Sequence, residues 1–247
     1  MVVWLFSGGG HTELIGFVKF FKKYFPNHTF ERQLPVRPRG PLPKRDNNEC
    51  PPLPKKNGMG HTGKGLEIKI KKRLTEFQTR GLELKPILVI DDLDCRFYDT
   101  AYKGLLKAVV DVIGTQDQTI IGFAAPEVES WFIADYDGTF GKHPKFKAIH
   151  KDMRYCLSNN KIDFKKPESF SKLNEKTKIS CQDKLSEAIA DAFKRCHNKE
   201  KNLTFSKKDD SPELLNMADP SIIQSKCPYF KRFWHNLEQM INSKSTL

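Results

Sequence analysis

The stretch ILVIDDLD, residues 87–94, decides the fold. Four consecutive large aliphatic residues after Pro86 read as a strand buried on both faces, as in parallel sheets. Three aspartates, Asp91, Asp92 and Asp94, stand at its end. In open α/β sheets ligands bind beyond the carboxyl ends of the strands, so acids placed there sit where chemistry is done. Packed carboxylates repel one another and are costly unless a cation neutralises them. The plainer alternative is that they are turn or helix-capping aspartates, positions that Asp favours.

On the N-terminal side, residues 2–6 (VVWLF) form another short apolar run. It lacks a basic leader and ends in glycines, so it reads as a first strand and not as a signal peptide. SGGGHTE follows, and Leu14, Phe17, Val18, Phe21 and Tyr24 then recur at helical spacing. On the C-terminal side, residues 98–113 read as a helix through Tyr102, Leu105, Leu106, Val109 and Val112. TIIGFA, residues 119–124, is a further buried strand. PEVESWFIAD, residues 126–135, reads as a short helix with Pro126 at its first position. This alternation predicts an α/β fold, a mostly parallel sheet flanked by helices on both faces.

The second half is poorer in strand signals. A polar loop is expected over residues 166–174, with helices over 183–196, from Ser211 with Pro212 at its first position, and over 225–241. Phe230, Phe233, Trp234 and Leu237 in the last of these make a stripe that core packing explains. The expected organisation is an α/β core over residues 1–150 and a helical C-terminal extension over 151–247 packed on it. A basic Pro/Gly-rich insertion at 35–65 interrupts the core.

The charge is concentrated in that insertion and just after it. The chain carries a formal net charge of +12. Between Arg37 and Arg73 there are eleven Lys/Arg against three acids, so +8 of it falls there. Seven prolines stand between Pro35 and Pro54, which predicts a loop of polyproline character. Such a surplus raises the local potential toward a polyanion and predicts salt-dependent nucleic-acid binding. Arg37, Arg39, Lys55, Lys56, Lys64, Lys69 and Lys72 are the candidate phosphate contacts, against the plain reading of a solvated basic loop.

With 38% hydrophobic and 11% aromatic residues the chain is globular in composition. It has no apolar run long enough for a membrane span. Six cysteines, Cys50, Cys95, Cys156, Cys181, Cys196 and Cys227, are scattered without a CxxC pair. That spacing speaks against a zinc ribbon or a disulfide framework and predicts reduced thiols in the cytoplasm.

The candidate chemistry is metal chemistry. Mg²⁺, or Mn²⁺, is the natural match for Asp91, Asp92 and Asp94, because it takes hard oxygen ligands and keeps waters for a phosphate. Glu127 and Glu129 follow the next buried strand, and a parallel sheet would put them on the same rim. Glu13 opens the first helix near that rim. An acid in a first helical turn is also ordinary on dipole grounds. GMGHTGKG, residues 58–65, lacks the Ser or Thr that a P-loop has after its lysine, which speaks against an ATPase. His11 and His61 read as local hydrogen-bonding groups.

Together these positions resemble a toprim-like family of uncharacterised bacterial proteins often encoded beside AAA-type ATPases. That family is related to the nucleases of the overcoming-lysogenisation-defect type. The resemblance rests on the strand-turn-helix of residues 5–14, on residues 87–94, on PEVESWFIAD, and on a C-terminal stretch running from Lys207 through Pro212 to CPYF at 227–230 and Trp234. It implies a metal-dependent nuclease in phage defence, with an AAA-type ATPase partner. Asp92, Asp94, Glu127 and Glu129 would be catalytic, and Asp91, Asp92, Asp94 and Glu13 would be metal ligands. Gly9 stands where the family shows its first metal glutamate. That departure leaves a non-catalytic, degenerate toprim module that binds nucleic acid or an ATPase as the alternative.

Overall fold

The computed structural model describes residues 1–8, 10, 12–35, 61–176, 180–196 and 204–243, without the side chains of Glu13 and Leu14. Gly9, His11, Arg37, Arg39, Lys55, Lys56 and most of the proline-rich insertion therefore lie outside the described residues, as does the side chain of Glu13.

Four strands, β1 (Val2–Ser7), β2 (Thr29–Leu34), β3 (Ile87–Asp92) and β4 (Thr119–Ala124), form one sheet in the order β2-β1-β3-β4. Every pairing is parallel. ILVIDD is thus an inner strand, which explains why it is apolar on both faces. Val3, Leu5, Leu88 and Ile90 point to one face and Trp4, Phe6, Ile87 and Val89 to the other.

The second face is covered by α2 (Lys64–Thr79) and α3 (Tyr98–Ile113), through Leu66, Ile70, Leu74, Leu105 and Val109. The first face carries the larger core. That core is built with α1 (Phe17–Tyr24), α4 (Glu129–Ala134), α5 (His150–Asn159), α6 (Leu185–Cys196), α7 (Asp210–Met217), α8 (Pro220–Lys226) and α9 (Pro228–Ser243), of which α1, α4 and α9 meet the strands. The expected stripe of α9 is core: Phe230, Phe233, Trp234 and Leu237 are buried, and Phe230 meets the Trp131 ring at 4.7 Å. Each such side chain taken out of water stabilises the fold by about 1.5–3 kcal/mol. Burial of this kind joins the C-terminal helices and the sheet into a single body.

Several local expectations shift. The helix expected from Pro126 begins at Glu129, and a cis peptide precedes Pro126. Residues 126–128 are instead tied to the end of β3, where Asp94 N–H donates to the Pro126 carbonyl and Val128 N–H to Asp92 Oδ1. The helix expected to start at Pro212, with Ser211 as its N-cap, begins two residues earlier at Asp210, and Ser211 turns its hydroxyl to Glu129. The helix expected over 225–241 starts at Pro228, because Cys227 is extended, as a residue before proline tends to be.

Cysteine usage is corrected outright. Cys95 and Cys181, 86 residues apart in sequence, form a disulfide with Cα atoms 5.2 Å apart. Spacing could not show this pair, because the turn after β3 and the segment before α6 meet only in the fold. Cys156, Cys196 and Cys227 carry no disulfide. Among the described residues no helix is long and apolar enough to cross a membrane.

Candidate functional site at the carboxyl ends of β3 and β4

The pairing of β3 with β4 brings the candidate acids together. Asp92 lies opposite Ala124, and Leu93 N–H donates to the Ala124 carbonyl, so the turn carrying Asp94 runs beside the one carrying Glu127. Strand alternation then divides the acids. Asp91 faces α2 and α3, whereas Asp92 faces α4 and the C-terminal helices.

On the α2 side, Asp91 is 2% exposed. Its Oδ2 accepts from Gly63 N–H at 2.9 Å and from Arg96 Nη2 at 2.8 Å. Arg96 also donates to the carbonyls of Leu93 and Asp92. Gly63 has a left-handed φ of 55°, and a Cβ there would press on the Arg96 guanidinium at 2.6 Å. Gly8, just past β1, is needed for space: a Cβ would run into Asp91 Oδ1 and lie 2.9 Å from the His61 carbonyl. The two glycine-rich turns therefore converge on one carboxylate. Burial pushes Asp91 up to about 6 despite Arg96. Burial also raises Asp94, against the pull of Arg96 and a hydrogen bond from the Thr62 hydroxyl.

On the other side, Glu127 is buried and accepts from Ser186 N–H at 3.0 Å, from the Ser186 hydroxyl, and from Lys207 Nζ at 3.1 Å. Glu129 is fully buried, with Lys207 Nζ at 3.4 Å and the Ser211 hydroxyl at 3.4 Å. Burial raises the Glu129 carboxyl, against the pull of Lys207. Burial opposes the Lys207 charge, but Glu129, Glu127 and Asp92 outweigh it and hold the ammonium well above its ordinary value. The Thr12 hydroxyl donates to the Lys207 carbonyl at 3.4 Å, which joins the turn after β1 to the same cluster.

Asp91, Asp92, Asp94, Glu127 and Glu129 thus share one rim. Lys207 opens the C-terminal stretch on which the resemblance rests, but nothing in the sequence assigns it a place beside the acids. Arg96 was equally silent. Of the basic candidates, Lys64, Lys69 and Lys72 are exposed on α2.

The donors suit a hard dication in kind, since all are carboxylate oxygens. Asp91 Oδ1 and Glu129 Oε2 are buried without a hydrogen-bond partner. In arrangement the rim is closed on itself. Arg96 and Lys207 supply positive charge to the acids, and among the described residues no three His, Cys, Asp or Glu are grouped to hold a metal ion.

Lys207→Met is expected to destabilise the protein by about 1–3 kcal/mol. Removing one partner of a buried pair leaves the other uncompensated, but a Lys207 side chain 48% exposed is partly screened by water. In a denaturant double-mutant cycle with Glu129→Gln the two losses should not add, because the neutral amide no longer needs the cation. Simple additivity would show that the pair is not coupled.

Comparison of the chain with protein-family models, with curated proteins and with solved structures finds no match in any of the three.

Proposed function

We propose that this protein is a toprim-like, metal-dependent nuclease whose working rim is the carboxyl end of β3 and β4. The observation that supports the reading is the placement of Asp92, Asp94, Glu127 and Glu129 at the adjoining ends of β3 and β4, with burial raising Asp94 and Glu129 and one buried Glu129 oxygen lacking a partner. A dication relieves buried carboxylates of this kind. Asp92 and Asp94, with Glu127 or Glu129, would hold Mg²⁺ or Mn²⁺. When bound, the ion supplies neutralisation of the phosphate and a more acidic water.

The chain's own groups have separate tasks. Arg96 holds Asp91 and the turn that presents Asp92 and Asp94. Lys207 fixes Glu127 and Glu129, and its ammonium is a point charge suited to a phosphate oxygen. Asp91, locked between Gly63 and Arg96, is a positioning residue in this reading. Lys64, Lys69 and Lys72 on α2 receive the phosphate backbone. A cytoplasmic role in phage defence beside an AAA-type ATPase is included in the same proposal. In that compartment the Cys95–Cys181 link would be reversible.

A second reading is a non-catalytic module that binds nucleic acid or the ATPase. The observation that favours it is that Arg96 and Lys207 already neutralise the acids. A cleavage assay on DNA and RNA separates the two. Cleavage is expected with Mg²⁺ or Mn²⁺ and should stop in EDTA. Nucleic-acid binding without cleavage under any of these conditions would leave the second reading standing.

A further inference from the structure

We propose that the cleft between α2 and α3 is a nucleobase-binding subsite, with Phe97 as its stacking platform, so that the protein takes an unpaired strand. The inference rests on the nucleic-acid reading above and names its substrate class.

The cleft has a volume of about 1100 Å³ and is lined by residues 62–65 at the start of α2, by Arg96 and Phe97, and by Leu173. Phe97 is 77% exposed, the most exposed large apolar side chain among the described residues. The neighbouring rings behave differently. Tyr98 stacks on Tyr229 at 5.1 Å and on Tyr102 at 5.8 Å, with the Arg232 guanidinium over it. Among the described residues Phe97 has no ring partner.

Its mounting is nevertheless rigid. Arg96, one residue before, is held by Asp91 and by the Leu93 carbonyl. Cys95 is bonded to Cys181, and Cys181 bridges to Leu173, which also lines the cleft. Tyr98, one residue after, is fixed in its stack. A flat apolar face that is exposed yet pre-organised binds without first being ordered. Bases of either kind of nucleic acid stack on such a face, whatever their sequence.

Charge fits the same occupant. The cleft is lined mainly by uncharged groups and by Arg96, whose charge is already taken up by Asp91, a lining that suits an uncharged base. Along α2, Lys71 is paired with Asp111 and Arg73 with Glu76. Lys64, Lys69 and Lys72 are exposed and have no ion pair among the described residues, which leaves them for the phosphates. Phe97 stands three residues beyond Asp94, so a base stacked there brings its own phosphate toward the acid rim.

Fluorescence anisotropy in EDTA tests this with a labelled single strand, its duplex, and an abasic strand of the same length, each as DNA and as RNA. The single strand should bind more tightly than the duplex and the abasic strand. Phe97→Ala should weaken single-strand binding about tenfold, in the range of one lost base–aromatic stack, and leave abasic binding unchanged. Phe97→Trp should retain it. The ring is exposed, so the variants should keep the wild-type melting temperature, and that is checked first. Equal affinity for base-bearing and abasic strands, or an unchanged Phe97→Ala, overturns the subsite alone. No binding to any strand or duplex overturns the nucleic-acid reading and the subsite with it.

Discussion

Arg96→Ala should cost about 3–5 kcal/mol, the usual result of removing one partner from a buried ion pair. Asp91 keeps none of its side chain in solvent, and Arg96 keeps only 20%. Without the guanidinium the carboxylate retains one backbone donor, Gly63 N–H, for a full negative charge. The effect should depend on pH. Burial already lifts Asp91 from an ordinary 3.8 to about 6, so the folded protein holds this proton more tightly than the unfolded chain. The stability linked to that proton is fully present below about pH 4 and is lost as pH rises through about 6. Loss of Arg96 pushes the carboxyl higher still. The deficit in melting temperature should therefore be large at about pH 8 and shrink toward about pH 4, where Asp91 is neutral in both proteins. A deficit that is constant across that range would show that Arg96 acts only through the Leu93 and Asp92 carbonyls.

If the protein is the metal-dependent nuclease proposed above, Asp92→Ala should lower cleavage by about a hundredfold or more, because several kcal/mol of charge stabilisation would be at stake where a phosphate and a dication meet. The fold should survive. Asp92 is only half-buried at the end of β3, and its replacement leaves Val128 N–H without that acceptor, a loss of about 1–2 kcal/mol. The two readouts separate function from folding: the melting temperature should fall modestly while the rate collapses. Full cleavage by a folded Asp92→Ala protein would remove this rim from the chemistry.

The architecture was largely legible in the chain. ILVI, VVWLF and TIIGFA are apolar without alternation, a pattern that is stable only in a parallel sheet covered on both faces, and all three are such strands. The carboxyl-end rule then located Asp92, Asp94, Glu127 and Glu129 on one edge, because parallel neighbours end on the same side.

Where sequence reasoning stopped, long-range geometry took over. It could not show that Asp91 and Asp92 face opposite ways with different partners, or that Arg96 and Lys207 are the cations that meet the acids. Lys207 reaches Glu127 across 80 residues, and Ser186 does so across 59. Glu168, in a segment that reads as polar loop, accepts from Tyr229 and Phe230 N–H at the start of α9. Cys95 and Cys181 looked like scattered thiols. Strand type and rim position follow from local periodicity and from the parallel sheet, both written in short stretches of sequence. Charge compensation and cross-links depend on which distant side chains arrive within about 3 Å, and only the packed tertiary structure decides that.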